Sequence, residues 1–359
     1  MPNIIVNYTE SDRIIEGTIE ALIVSDISNY LKKSDTVAIK PNLVLARPAS
    51  GGATTHVEIV EGIIRFLKSF GINKITIMEG SWVGDSTKKA FRSCGYEDLS
   101  KAYGVPLIDL KTDKASIFKA HGLTLEVCKS PMEADFLINV PVLKAHCQTL
   151  LTCNLKNLKG CIPDNEKRKY HSLGIHKPVA VLNTVLKTGY CVVDGICGDL
   201  SFEEGGNPVE SNRIILGRDP LMVDSFCAGL IGYEPKEIEY LLLAKEYGIG
   251  DFYSEAAEVK ELNAERKTVV QAQSSGAAKS YNRYIQEDAA CSACYSSLIY
   301  ALHLMDKKKL NSLAYKIKIG QGFKGKKGKG TGVGNCTLGF DTCVKGCPPK
   351  AVDIIKFFS

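Results

Sequence analysis

The first two thirds of the chain alternate short β-branched runs with longer amphipathic segments. We predict β-strands in the short runs NIIVNY, TVAIK, KITIMEG, PLIDL, DFLINVPVL, YCVVDGI and RIILG. Apolar residues recur at helical spacing between them, in residues 11–31, 57–70, 177–187, 221–230 and 236–247. This alternation is typical of βαβ units. We therefore expect an α/β fold, with a layered, largely parallel or mixed sheet and flanking helices.

The pattern weakens after residue 250. Residues 251–289 are mostly polar or small and include the run QAQSSGAAKS, which indicates a connecting segment. A helix in residues 295–305 and a strand in residues 315–319 are predicted next, then GQGFKGKKGKGTGVGNC, which is too rich in Gly and Lys to predict regular structure, and a last helix or strand from Ala351 to Phe357. We predict an α/β domain in residues 1–250, a connecting segment in 251–289 and an iron–sulfur segment in 290–359.

Composition and the length of the apolar runs indicate the compartment in which we expect the protein. Its 359 residues are 45% hydrophobic and 24% charged, and no run approaches the roughly 18 apolar residues of a membrane span. The first residues show no basic region followed by an apolar run, so we expect a cytoplasmic protein that does not bind membranes. Thirteen cysteines in a reducing compartment argue against disulfides and favour a metal site where they cluster.

Four cysteines in the C-terminal segment have the character of cluster ligands. Cys291 and Cys294 form a CxxC motif before the apolar run SSLIYALHLM, where free backbone N–H groups can face an anionic cofactor. Cys336 follows Gly and Asn, and Cys347 begins a Cys-Pro-Pro sequence. Four thiolates from three segments match the ligation of a [4Fe–4S] cluster, so we expect that cofactor and a redox role.

Other interpretations of these cysteines stay open. A Cys₄ zinc site or unligated thiols would use the same residues. Cys343, four positions before Cys347, could replace either of the last two ligands. The other eight cysteines are expected to be small core residues; they are Cys94, Cys128, Cys147, Cys153, Cys161, Cys191, Cys197 and Cys227.

A strongly basic stretch lies between the ligand motifs. Residues 307–335 contain nine lysines and no Asp or Glu. The GxGxxG pattern that begins at Gly320 indicates dinucleotide binding only where it opens a helix, and here it leads into more glycines. We expect the glycines to let the backbone wrap around the cluster, and the lysines to offset its charge or attract an acidic redox partner such as a ferredoxin. A solvated loop is the alternative, while nucleic acid fits poorly because few aromatic residues are interleaved.

Polar side chains recur where the predicted strands end, which is the edge at which open α/β sheets bind ligands. A small anionic ligand would suit this concentration of Lys, Asn and His, although any single residue could instead be a helix cap or surface group. The expected ligand-binding residues are Lys40, Asn42, Thr55, His56 and Asn154. The expected catalytic residues are Lys144, His146, Lys156, Asn157 and Lys159.

Several motifs resemble a known family. KPNLV, NVPVLKAH, LTCNLKNLKG, VVDGI and RDPLMVD are similar to the domain-of-unknown-function 362 family over most of residues 35–250. CSACYSSLIYAL, GNC and GCPP resemble its iron–sulfur members and the proximal-cluster motif of nickel–iron hydrogenase small subunits. The resemblance implies an α/β domain joined to a [4Fe–4S] segment. A more distant similarity to the N-terminal domain of nickel-dependent lactate racemases implies small hydroxy or carboxylic acids as one substrate class.

Three functions are compatible with these observations. The first is a cytoplasmic redox protein of an anaerobic lifestyle, either an electron carrier or an iron–sulfur oxidoreductase acting on a small anionic ligand. The second is a non-redox binding or scaffold protein whose Cys₄ site, zinc or cluster, is structural. The third is a hydro-lyase in which a cluster iron acts as a Lewis acid.

Overall fold

A computed structural model describes residues 2–200, 207–268, 280–311 and 313–358. Its strands, numbered along the chain, are β1 (Ile4–Tyr8), β2 (Thr36–Pro41), β3 (Lys74–Glu79), β4 (Leu107–Asp109), β5 (Ala115–Ala120), β6 (Leu123–Cys128), β7 (Phe136–Val140), β8 (Lys144–His146), β9 (Leu150–Thr152), β10 (Tyr190–Asp199), β11 (Pro208–Gly217), β12 (Val259–Leu262), β13 (Ile285–Glu287), β14 (Ile317–Ile319), β15 (Gly328–Val333) and β16 (Phe340–Val344). Its α-helices, numbered in the same way, are α1 (Ile14–Val24), α2 (Val57–Ser69), α3 (Thr87–Ser93), α4 (Tyr96–Tyr103), α5 (Lys129–Glu133), α6 (Asn154–Asn157), α7 (Asp164–Ser172), α8 (His176–Val185), α9 (Pro220–Leu230), α10 (Glu239–Glu246), α11 (Ser292–Leu304), α12 (Lys307–Asn311) and α13 (Ala351–Phe358).

A mixed eight-stranded sheet forms the centre of the fold, in the order β12-β1-β11-β10-β7-β2-β3-β4. Strands β10, β7, β2, β3 and β4 pair in parallel, whereas β11 is antiparallel to both of its neighbours. Each strand predicted from the first 217 residues is present, and the predicted α/β class is confirmed. The parallel strands bring their carboxyl ends to one edge, where the polar residues lie.

Two hydrophobic clusters cover the two faces of this sheet. Successive side chains of a strand point to opposite faces. Ile5 and Ile39 therefore pack with α1 and α2, while Ile4 and Ala38 pack on the other side with α8, α9 and α10. Burial on both faces explains the continuous apolar runs in the central strands.

The predicted long helices are present, and several short elements are not visible in the apolar pattern. Helix α7 (DNEKRKYHS) has almost no apolar periodicity, and the hairpins β5–β6 and β8–β9 were not predicted. Capping residues mark two of the helix starts. Ser86 accepts a hydrogen bond from the Lys89 N–H at the start of α3, and the Asp219 carboxylate caps α9 before Pro220.

The C-terminal segment forms a second, four-stranded parallel sheet, β13-β14-β15-β16. The expectation that the Gly/Lys stretch has no regular structure was wrong, because β15 lies within it. Ladder hydrogen bonds need no side chains, and a Cβ on Gly332 would collide with Thr337. Residues 251–289 also do more than connect, since β12 joins the large sheet and β13 the small one.

Helices α11 and α13 pack on the small sheet around Leu298, Ile299 and Ile354. The C-terminal tail, for which the sequence predicts either a helix or a strand, forms helix α13. Within the described ranges, no helix is both long and apolar enough to cross a bilayer.

Candidate functional site

Lys40 and Glu79 form a buried ion pair at the ends of β2 and β3. The Lys40 Nζ and Glu79 Oε2 atoms are 2.8 Å apart, and the side chains are 1% and 3% exposed. Lys40 also donates to Asn157 Oδ1 and the Pro41 carbonyl, which uses all three ammonium hydrogens. Glu79 accepts the N–H groups of Leu43 and Gly80. Lys40 therefore joins strands and helix α6 together; its predicted role in binding a ligand stays a prediction.

Asn157 is the centre of an amide network beside this pair. Its side-chain oxygen accepts hydrogen bonds from Lys40 and from Asn42 Nδ2 at 2.9 Å. Its Nδ2 donates to Asn139 Oδ1 at 2.7 Å and to the Lys40 carbonyl. The network fixes α6 over the carboxyl ends of β2 and β7.

Asn154 lies at the other end of α6 and is held by Asp224 of helix α9. The Asp224 carboxylate accepts the backbone N–H groups of Asn154 and Leu155, and also Asn154 Nδ2. Burial raises the pKa of Asp224 to about 6, against these hydrogen bonds, which lower it. The Asn154 Oδ1 atom is buried without a hydrogen-bond partner in the described part of the chain.

Thr55 and His56 precede α2 and contact neighbouring strand ends. Thr55 Oγ1 donates to the Val140 carbonyl and accepts the Asn42 N–H, both at 2.8 Å. His56 Nδ1 lies 2.8 Å from Asp194 Oδ2. Burial lowers the pKa of His56, but the Asp194 carboxylate outweighs it, so the net pKa is raised.

Lys144 and His146 lie on β8, and both are about 1% exposed. Lys144 Nζ donates to the Ala53 carbonyl at 2.8 Å and lies 3.5 Å from Asn42 Oδ1. His146 Nδ1 accepts the backbone N–H groups of Gln148 and Thr149, which assigns the ring proton to Nε2. Two predicted catalytic residues thus lie on strand β8, and the hydrogen bonds to His146 hold the turn that follows it.

The remaining predicted lysines lie on α6 and on the turn that follows it. Lys156 Nζ is 3.1 Å from Thr152 Oγ1, and Lys159 Nζ is 2.9 Å from His171 Nε2 on α7. Gly160, next to Lys159, packs directly on the ion pair, because a Cβ there would lie 2.7 Å from Lys40 Nζ and collide with Glu79. The ten predicted ligand-binding and catalytic residues therefore lie at the carboxyl ends of the parallel strands, before α2, on β8, or on α6 and the turn that follows it.

The four predicted ligand cysteines come from the start of α11 and from the loops after β15 and β16. Burial raises the pKa of Cys291, the nearby Cys336 and Cys347 thiols raise it further, and Lys159 lowers it. A Cβ on Gly334 would lie 3.8 Å from Cys294 Sγ. Three chain segments thus meet at one place beside Lys159 of the α/β domain.

Cys343 is oriented differently from the four. Its thiol lies 3.4 Å from Thr337 Oγ1 and 3.5 Å from the Gly334 carbonyl. It belongs to strand β16, where it pairs with Gly332. The eight remaining cysteines are buried, as expected for small core residues.

The thiols are neighbours without forming a compact single-ion site. Among the residues with described positions, no three His, Cys, Asp or Glu side chains converge closely enough to hold one metal ion. The pKa of Cys336 is raised by burial and then by Cys347, and lowered by Lys324. Metal or cluster binding would displace these thiol protons.

Two glutamines connect the cysteine segment to the α/β domain. Gln321 Nε2 donates to Cys291 Sγ at 3.4 Å and to the Arg168 carbonyl of α7 at 3.3 Å. Gln148, at the tip of the β8–β9 hairpin, donates to the Ala290 carbonyl and Glu287, and accepts from Ser292 Oγ. The predicted ligand-binding edge of the sheet and the cysteines are therefore adjacent. Sequence reasoning missed both glutamines, since Gln148 lies in no motif and Gln321 occupies a variable position of the GxGxxG pattern.

Comparison with known proteins assigns the chain to a family. Residues 37–229 match the family described as a domain of unknown function (DUF362). The match covers more than half of the chain, and the chain belongs to this family. Thylakoid-associated protein sll1697 of Synechocystis sp. is 24% identical over 234 residues, which are 62% of this chain and 71% of that protein.

Two solved structures are also similar in part. The lactate racemase apoprotein from Thermoanaerobacterium thermosaccharolyticum has a TM-score of 0.39 at 15% identity, over 60% of this chain and 54% of that one. A Thermotoga maritima protein has a TM-score of 0.40 at 14% identity, over 62% and 58%. The chain thus spans little more than half the length of either.

Proposed function

We propose that this protein binds a [4Fe–4S] cluster through Cys291, Cys294, Cys336 and Cys347 and acts as a redox protein. One observation carries the proposal: three separate chain segments bring thiols together at one place, while Cys343 hydrogen-bonds within its own sheet. Four thiolates are the usual ligands of this cofactor, and the cluster would supply one-electron transfer.

The surroundings of the thiols fit a large anionic group. Gly334 and Gly346 have φ angles of +93° and +145°, conformations that glycine adopts most readily, and they lie directly beside the ligand cysteines. Lys159 and Lys324 place positive charge beside Cys291 and Cys336. Gln321 adds a hydrogen bond to a ligand sulfur, which is one way that proteins adjust reduction potentials.

The basic residues of α6 and of the turn that follows it, which lie next to Cys291, support an oxidoreductase that acts on a small anionic ligand. Lys156 and Lys159 follow the amide network of α6, and Lys159 lies next to both His171 and Cys291. We propose that the ligand binds on this side, because the three donors of Lys40 are used within the protein. A bound anion would then lie close to the cluster, as electron transfer requires.

Anaerobic purification tests the cofactor. We expect a brown protein with about four irons per chain and a paramagnetic resonance signal after reduction by dithionite. Cys291→Ala should abolish the colour, whereas Cys94→Ala, which alters a buried core thiol, should keep it. Equal loss in both variants would contradict the ligand assignment.

The alternatives give different results in the same experiment. A colourless protein with one zinc would exclude the cluster and favour a structural Cys₄ site. A cluster that dithionite cannot reduce would exclude electron transfer and favour a structural or Lewis-acid role. Cys343→Ala should retain the cluster and Cys347→Ala should lose it. The reverse result would make Cys343, and not Cys347, the fourth ligand.

A further inference from the structure

The four thiols differ in how they face solvent. Cys291 and Cys294 are partly buried at the start of α11, next to Gln321 and helix α7. Cys336 is also partly buried, whereas Cys347 is exposed. One edge of the site therefore faces the α/β domain and the other faces solvent.

Two exposed apolar side chains are close in sequence to the cysteines of the solvent-facing edge. Leu338, two residues after Cys336, is 54% exposed, and Val352, just after the Cys-Pro-Pro sequence, is 50% exposed. We call the surface formed by Cys336, Leu338, Cys347 and Val352 the Cys347 face. Exposed leucine and valine are common singly, but here each lies within five residues of a predicted ligand cysteine.

Exposed lysines surround the Cys347 face. Lys324 acts electrostatically on Cys336, and the chain at Gly339 packs against Lys327. Lys345 and Lys350 lie within three residues of Cys347, and all four lysines are exposed.

Two nearby acidic groups are engaged within the segment, and a third, Asp353 next to Val352, is exposed. The Asp288 carboxylate is 3.2 Å from Lys326 Nζ, and the Asp341 carboxylate accepts the Gly330 N–H. The charge presented around the Cys347 face is therefore predominantly positive.

We infer that the Cys347 face is the docking surface for an acidic one-electron carrier protein of the ferredoxin class, and that electrons reach the site there rather than from the side of the α/β domain. The inference rests on the proposed function. Apolar contact at the centre and charge at the rim is the usual organisation of protein interfaces, and opposite charge accelerates encounter. The reduced carrier gives up one electron, the cluster gains it, and no bond or proton is transferred.

Binding measurements test the surface directly. The wild-type holoprotein and the triple variant Lys324→Glu, Lys345→Glu, Lys350→Glu are titrated with an acidic [2Fe–2S] ferredoxin at low and high salt. We expect the variant to bind at least about tenfold more weakly and to show little salt dependence. A matched control, Lys68→Glu, Lys74→Glu, Lys88→Glu, changes charge equally on the α/β domain and should bind like wild type.

Iron content separates two kinds of failure. A wild-type protein without a cluster would overturn the proposed function itself. A protein with its cluster whose ferredoxin affinity is the same in the triple variant and wild type would overturn only the docking surface. Leu338→Ser provides a second check, because it should weaken binding without changing the salt dependence.

Discussion

Gln321 is a single residue that joins the glycine-rich turn, the thiol of Cys291 and helix α7. A hydrogen bond to a ligand sulfur stabilises the reduced, more negative state of a cluster. Gln321→Leu should therefore lower the reduction potential without changing the iron content. The expected shift is on the order of 40 mV, since a net hydrogen bond is worth about 1 kcal/mol.

A redox titration followed by paramagnetic resonance would measure this shift. Gln286→Leu is the control, because Gln286 is exposed on β13 of the small four-stranded sheet. A potential unchanged in Gln321→Leu, or shifted equally in both variants, would contradict the assigned role.

The buried Lys40–Glu79 ion pair also leads to a prediction about single residues. Glu79→Gln would leave a buried ammonium without its counter-charge, so we expect a loss of about 3–5 kcal/mol in the free energy of unfolding. Glu61→Gln, which breaks the more exposed pair with Arg65, should cost less than about 1 kcal/mol. Denaturant unfolding compares the two, and similar losses would contradict a buried structural role.

Helix α6 depends on a neighbouring helix more than on its own sequence. It has only four residues, and the Asp224 carboxylate of α9 satisfies the N–H groups at its start. Without such an acceptor, the first N–H groups of a buried helix are costly. The register of α6, and with it Asn157 and Lys159, is therefore determined between elements.

Asp224 should make stability depend on pH in a defined direction. Its pKa is raised by burial from 3.8 to about 6 in the folded protein. Its contribution is therefore fully present below about pH 4 and decreases as pH rises through 6. At about 1.4 kcal/mol per pKa unit, the wild type should lose up to about 3 kcal/mol across this range relative to Asp224→Asn.

Unfolding measured between pH 4.5 and 7 would test that direction. Asp135→Asn is the control, because hydrogen bonds from Thr36 lower the pKa of Asp135 and its contribution is lost only below about pH 4, so this variant should show the same pH dependence as wild type in the measured range. An unfolding free energy that changes with pH identically in wild type and Asp224→Asn would exclude the effect.

At the scale of the whole molecule, β12 belongs to the large sheet although it lies beyond the predicted domain end at residue 250. It pairs with β1, so a chain of residues 1–250 would expose the edge of β1. We expect residues 1–268 to unfold cooperatively, and residues 1–250 to be less stable and more prone to aggregate. Circular dichroism during denaturation would measure the stability of the two fragments, and light scattering would measure their aggregation. Equal stability would support the domain end at residue 250.

The long buried strands and the amphipathic helices were predictable because their periodicity follows from which side chains face the core. The short elements were not, because α6, α7 and the β8–β9 hairpin are stabilised mainly by partners distant in sequence. Strand β15 was missed for a related reason: glycines have weak strand preference, and neighbouring strands supply its ladder.

The sequence by itself determined the fold class, the candidate cysteines and the polar residues at the strand ends, since spacing and residue type carry that information. Only the tertiary structure decided that Lys40 is held by Glu79, that Cys343 points to Thr337, and that Gln148 and Gln321 join the α/β domain to the cysteine segment. Apart from the Cys343 contact, these contacts join residues that are between 30 and 153 positions apart in the sequence. No local pattern encodes such pairings, because they form only when the sheet places its strand ends side by side.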